Sequence, residues 1–317
     1  MDNFEQWILL LDSTIRIATP LLFAALAGML SERSGIIDIG LEGKMLVSAF
    51  AGAAWAAHSG SPWQAVLVAM AAAMSLSMLH AFACITHKGD QIISGVAINM
   101  LALAITAMLG QRLIYQGVLT DDLRLMPLAF PELLPHDDTI VSLIYWQLLS
   151  GHNALVYFAF VTVLLLVVFF KFSPLGKRLS AAGENPLALN RSGVSVELTR
   201  YLSVLAGGAL CGLAGAYLSL GHGAGFVDNM TVGKGFIALA ALIFGQWRPV
   251  GVMLSCLLFG FLDALSIRMQ GIEFFDSGYI IPVQLIEMLP YVLTVLVLAG
   301  FIGSSSAPKA LGVHDKF

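Results

Sequence analysis

Apolar runs of about twenty residues follow one another along almost the whole chain, separated by short polar or Gly/Pro-rich stretches. A water-exposed fold has no way to cover so many of them, whereas a bilayer accepts each as a helix whose backbone hydrogen bonds close internally. The runs fall near residues 15–30, 40–57, 63–86, 91–115, 154–172, 201–220, 235–244, 250–267 and 282–302. The expected fold class is therefore an all-α integral membrane protein, a bundle of roughly eight to ten transmembrane helices. Charged residues make up 11% of the 317 residues, against about a quarter in soluble domains. That leaves no room for a separate soluble domain, and 1–317 reads as a single transmembrane domain. The run at 235–244 is too short to span in an ordinary helix, so it is expected to be broken or re-entrant and buried in protein or beside a cavity.

Orientation follows from Lys and Arg. Residues 172–199 hold Lys177, Arg178 and Arg191, with Lys171 and Arg200 at the edges, which makes this segment cytoplasmic. Counting crossings outward puts 31–36, 87–90, 246–249 and the tail with Lys309 and Lys316 on the same side, and the N-terminus outside. Residues 116–153 then form an outer loop. They carry Asp121, Asp122, Glu132, Asp137 and Asp138 against a lone Arg124, and Pro127, Pro131 and Pro135 exclude a long straight helix. A short amphipathic helix at the interface fits 140–149. The N-terminus, MDNFEQW, is acidic and no small-residue cleavage site follows it, so no removable signal peptide is expected. The net charge of -4 says little in a membrane protein, where the placement of Lys and Arg matters more than their sum; nucleic acid is not an expected partner, and membrane lipid is.

Enzymatic signatures are missing from the sequence. Cys84, Cys211 and Cys256 lie far apart in apolar runs and read as packing residues, not as a disulfide framework or metal site. The seven histidines are scattered without HExxH or other metal-ligand spacing. Gly40-Leu-Glu-Gly-Lys44 lacks the spacing and the Ser or Thr of a phosphate loop, and no Ser sits in a GxSxG turn. No catalytic residue, cofactor or metal is expected.

Three other features carry information. Gly207, Gly208, Gly212 and Gly215 put small residues three to four apart on one helix, which lets helices approach closely in a bilayer. The stretch from Ser31 to Lys44 places Glu32, Arg33, Asp38, Glu42 and Lys44 among glycines just before an apolar helix. Glu32 with Arg33 and Glu42 with Lys44 fit local ion pairs, while the whole stretch suggests a bent entry bordering a pathway. On the cytoplasmic side, Asn185 suits an N-cap and Pro186 a first helical position, predicting a short helix over 187–190 that ends near Gly193. A connector alone needs only a few residues, so this helix has the form of a docking element.

These segments resemble the permease subunits of bacterial ABC importers, within the branched-chain amino acid, ribose and nucleoside permease superfamily. The resemblance rests on Ser31-Glu-Arg-Ser-Gly35, Ile39-Gly-Leu-Glu-Gly43, the run from Asp90 to Asn99, Gly183-Glu-Asn-Pro186 with Ser192-Gly-Val194, and the block from Gly235 to Pro249. It extends from about Thr14 to Gly303, and the Glu-Arg-Ser-Gly and Phe-Ile-Ala-Leu-Ala blocks are most similar to nucleoside-type permeases. The resemblance implies a multi-pass protein of the bacterial cytoplasmic (inner) membrane. Its implied partners are a second permease subunit, identical or homologous, ATP-binding cassette subunits that hydrolyse ATP, and an extracytoplasmic substrate-binding protein. It makes Gly183, Glu184, Asn185, Pro186, Leu187, Ala188 and Leu189 the coupling helix facing the ATPase. For a nucleoside, with its aromatic base and polar ribose, the expected pathway residues are Glu42, Gln91, Ser94, Asn99, Phe236 and Phe244. Asn99 lies mid-helix in an apolar run, with Ser94 and Gln91 on a similar face; an interhelical hydrogen bond is its alternative role. A ribose or simple-sugar permease is the nearest alternative. An ion-coupled secondary transporter would rely on Asp263 and Glu287, the obvious intramembrane carboxylates.

Overall fold

The computed structural model describes residues 2–114, 142, 144–222, 225–269 and 307–313, with single positions 285, 288 and 292. Apart from those three positions, the expected helix at 282–302, with Glu287, lies outside the described residues, as do Lys316 and most of the outer segment 116–153. The described chain is helical throughout, without a strand: α1 (Asp2–Arg33), α2 (Leu41–Ser59), α3 (Pro62–Ala81), α4 (Gln91–Ile114), α5 (Ala154–Phe172), α6 (Pro174–Glu184), α7 (Pro186–Arg191), α8 (Val196–Ala216), α9 (Lys234–Phe244) and α10 (Pro249–Met269). Wider π turns continue α3 through Phe82–Thr86 and α8 through Tyr217–His222, and another forms at Tyr145–Leu149, inside the stretch expected to hold a short interfacial helix. Among the described residues, six helices are long and apolar enough to cross a membrane.

The layering follows from which helices are apolar all round. In α1, Leu21 through Ala27 are essentially inaccessible, as expected of a helix ringed by others. The apolar window of α8 is 72% buried, while those of α4 and α5 are 28% buried. α1 and α8 are thus the central pair, and α4 and α5 turn most of their apolar surface outward, where lipid would cover it. The glycines of α8 behave as the small-residue spacing predicts. A Cβ on Gly212 would lie 2.5 Å from the Met70 backbone, and one on Gly215 would lie 2.3 Å from the Met45 carbonyl. α8 therefore packs backbone-close on α3 and α2.

Two interruptions shape the interior. α1 stops at Arg33, and Gly35 turns the chain at φ +98°, a conformation that favours glycine. The chain then climbs along α4 before α2 begins. Ile37 meets Gln91, Gly40 packs on Gly95, and Gly43 meets Asn99. From Gln91 to Gly95, where Gly40 packs, a helix rises about 6 Å, so α2 starts about one turn inside the level at which α4 begins. α9 is the second interruption. Its eleven residues reach only about 16 Å, short of a ~30 Å hydrocarbon core, as the length of the 235–244 run predicts.

Segments expected on the cytoplasmic side gather at one end. Ala310 N–H donates to Gly183 O (2.8 Å), Gly312 N–H to Gly35 O (3.0 Å), and Arg200 Nε to Ser34 O (3.1 Å). Residues 31–36, α6 and the tail at 307–313 thereby form one surface.

Candidate functional site

The buried polar groups concentrate where the two interrupted helices meet. Lys44 Nζ donates to both oxygens of Asp38 at 2.7 and 2.6 Å, and Ser31 Oγ donates to Asp38 Oδ2 at 3.3 Å; neither charged side chain is more than 1% exposed. His80 stands beside this pair, with Nε2 2.9 Å from Ile37 O and Nδ1 3.0 Å from Ser94 Oγ. The pair neutralises itself out of water, the condition under which a buried charge is tolerated.

Glu42 reaches across the bundle. Its Oε1 accepts from Gly233 N–H (2.8 Å) and its Oε2 from Gly235 N–H (2.6 Å), so one carboxylate covers the exposed amides at the start of α9. The charge also opposes the positive end of the helix dipole. Gly235 is required here, because a Cβ would fall 2.5 Å from Glu42 N. At the other end of α9, Gln246 and Trp247 turn through positive φ, 54° and 53°, and Trp247 Nε1 donates to Glu32 at 2.6 Å. The half-helix α9 is thus held at both ends by carboxylates of the segment 32–42. The local pairs expected from the sequence do not form among the described residues: Glu42 caps α9 while Lys44 binds Asp38, and Glu32 binds Trp247 while Arg33 lies 4.2 Å over the Phe170 ring.

The remaining pathway residues have equally definite partners. Asn99 Oδ1 accepts from Gly43 N–H (2.8 Å) and its Nδ2 donates to Ile39 O (3.0 Å). Gln91 Oε1 accepts from Ile37 N–H at 2.7 Å. These two side chains bind α4 to the climbing segment and the start of α2, the interhelical role that the sequence allowed for Asn99, whereas Ser94 ties α4 to His80 of α3. Phe244 packs edge-on against Phe259 with centroids 5.6 Å apart, and Phe236 is half exposed at the start of α9.

The element formed by α6 and α7, expected on the cytoplasmic side, has an anchored face and an exposed one. Asn185 Oδ1 accepts from Ala188 N–H (3.0 Å), capping α7 as its sequence predicts. Gly183 is buried against Arg33, where a Cβ would lie 2.2 Å from the Arg33 carbonyl. Leu189 packs with Ala182 and Val196. Glu184, Asn185, Leu187 and Ala188 remain exposed, with Leu187 showing 52% of its surface, and Pro186 is half-buried.

A bundle of apolar helices with carboxylate-clamped interruptions inside it suits a membrane, and sequence comparison decides its kind. Residues 10–298 match the family described as branched-chain amino acid transport system / permease component. The chain belongs to this family. It is an ABC transporter permease and a multi-pass protein of the cytoplasmic membrane. Among relatives, this permease is 37% identical to the guanosine ABC transporter permease protein NupQ of Bacillus subtilis, over 99% of its own length and 98% of that protein's. It is 36% identical to the nucleoside ABC transporter permease protein NupC of Lactococcus lactis, over 94% and 93% of the two chains. A third relative, TsgC13 of Haloferax volcanii, provisionally named a glucose ABC transporter permease, is 35% identical over 92% and 90%. Each of those three organisms also carries a second permease named for the same solute class, which matches this one at only 25–28% identity.

The Asp38–Lys44 pair, the Glu32–Trp247 bond and the place of His80 are not visible in the sequence. The available signal was charge beside an apolar run, which marks a buried group but not its partner.

Proposed function

We propose that this permease takes up nucleosides as the membrane-spanning subunit of an ABC importer, with ATP hydrolysed on separate nucleotide-binding subunits. The observation that carries the coupling is the division of α6 and α7. Gly183 and Leu189 lock the element to α1 and α8, while Glu184, Asn185, Leu187 and Ala188 project from the basic, cytoplasmic end. Such a fixed, capped knob transmits a push from an ATPase without itself bending. Glu42, Gln91, Ser94 and Asn99 serve the pathway by holding α2 and α9 as interrupted helices, whose ends inside the bundle border it; Phe236 lies at that border, and Phe244 braces α9 against α10.

The nucleoside assignment is supported by relatives named for guanosine and nucleosides at 36–37% identity. The Haloferax relative supports sugar as the second reading. That each of the three organisms has a second, more distant permease of like name supports a partner permease different from this chain. An extracytoplasmic binding protein delivers the solute.

Glu184→Arg tests the coupling role. In the assembled transporter the variant inserts and reaches the membrane at wild-type abundance, but solute no longer stimulates ATP hydrolysis above its basal rate. Normal stimulation in that variant removes α7 from the mechanism.

A further inference from the structure

A cavity of about 440 Å³ opens between α1, α9 and α10, next to the start of α9 that Glu42 caps. It lies toward the outer face: from Pro249 to Asp263 α10 rises about 21 Å, and from Arg33 back to Arg16 α1 rises about 25 Å. Arg16, Lys234, Asp263 and Arg268 all line it, with Ser13 on the same helix as Arg16. Arg16 is engaged by Asp12 at 3.0 Å, and Arg268 donates to the Gln6 carbonyl. Lys234 and Asp263, by contrast, have no ion-pair partner among the described residues. Charges inside a membrane bundle pair with one another or face water. An ammonium and a carboxylate that line one cavity without joining are solvated by what fills it.

The rest of the wall is apolar, with Ile17, Leu218 and Met230 among its residues. The volume lies within the ~300–1,000 Å³ range of small-molecule pockets, which combine apolar walls with a few placed polar groups. A flat heteroaromatic base fits this combination better than a sugar: its faces lie against aliphatic and thioether walls, while its edge presents both donors and acceptors. The ring N–H and amino group of guanine match a carboxylate, and its carbonyl and ring nitrogen match a cationic donor.

We infer that this cavity is the holding station for solute on the outer half of the passage, and that it takes an uncharged purine riboside whose base edge faces Asp263 and Lys234. The inference rests on the permease reading above and adds the place and the class of solute. It gives Asp263, which an ion-coupled transporter would use for a proton or cation, a role in binding.

The test uses the complete transporter with its ATPase, second permease and binding protein, with uptake of radiolabelled guanosine and ribose. Asp263→Asn and Lys234→Gln are expected to lower guanosine uptake at least tenfold at equal abundance in the membrane. In parallel, Ser13→Cys is expected to react with a membrane-impermeant thiol reagent added outside, and saturating guanosine to slow that reaction several-fold; the native cysteines Cys84, Cys211 and Cys256 are buried. Wild-type guanosine uptake together with unchanged uptake in both charge variants, or with Ser13→Cys labelling that guanosine does not slow, overturns the cavity proposal and leaves the nucleoside reading intact. If the wild type moves ribose and no guanosine, the nucleoside reading itself fails. Labelling slowed by ribose instead would then overturn the purine assignment.

Discussion

At Lys44 the bundle holds an ammonium without exposed surface, and at Asp38 a carboxylate bound to it through both oxygens. Removing one member strands the other charge in a dry interior, which costs about 3–5 kcal/mol. Lys44→Met is therefore expected to lower thermal stability of the detergent-solubilised protein sharply, and Lys44→Met combined with Asp38→Leu to recover most of the loss. A double variant no more stable than Lys44→Met would contradict the pairing. Glu42 offers a graded case. Glu42→Gln keeps one acceptor for the amides of Gly233 and Gly235, and Glu42→Ala keeps none. Leaving a buried N–H unsatisfied costs about 1–3 kcal/mol, so stability in the same assay is expected to fall in the order wild type, Glu42→Gln, Glu42→Ala. The sequence marks both sites as charge beside glycine and an apolar run. It does not reveal their partners, because those depend on how far the chain climbs along α4 before α2 begins. Adjacent charges therefore suggested local pairs, whereas Glu42 bonds to residues 191 and 193 positions away.

Among the elements, α7 and α9 were legible for different reasons. The Asn-Pro pair of α7 specifies a cap and a start that need no tertiary context, and the structure has both. α9 was legible through length alone: ten apolar residues do not reach across a bilayer. What length cannot say is what closes its ends, and the clamp by Glu42 and Glu32 comes from a segment two hundred residues earlier. Asn185→Ala is expected to weaken α7 by about 1 kcal/mol and to reduce solute-stimulated ATP hydrolysis, while leaving the thermal midpoint of the bundle unchanged. A large fall in that midpoint would place Asn185 in the core instead. Gly212→Leu is expected to abolish membrane accumulation, since its side chain would occupy the Met70 backbone.

For the whole molecule, the placement of Lys and Arg orders the topology, and the structure brings the segments 31–36, α6 and the tail at 307–313 to one end. In the proposed function this bundle moves nucleosides only when an ATPase drives it through α7. The most direct measurement is uptake of radiolabelled uridine, adenosine and ribose into proteoliposomes holding the permease pair, with and without the ATPase subunits and ATP. The account predicts nucleoside uptake that requires both, disappears when this chain is omitted, and exceeds ribose uptake. Uptake by this chain alone under an ion gradient would contradict it.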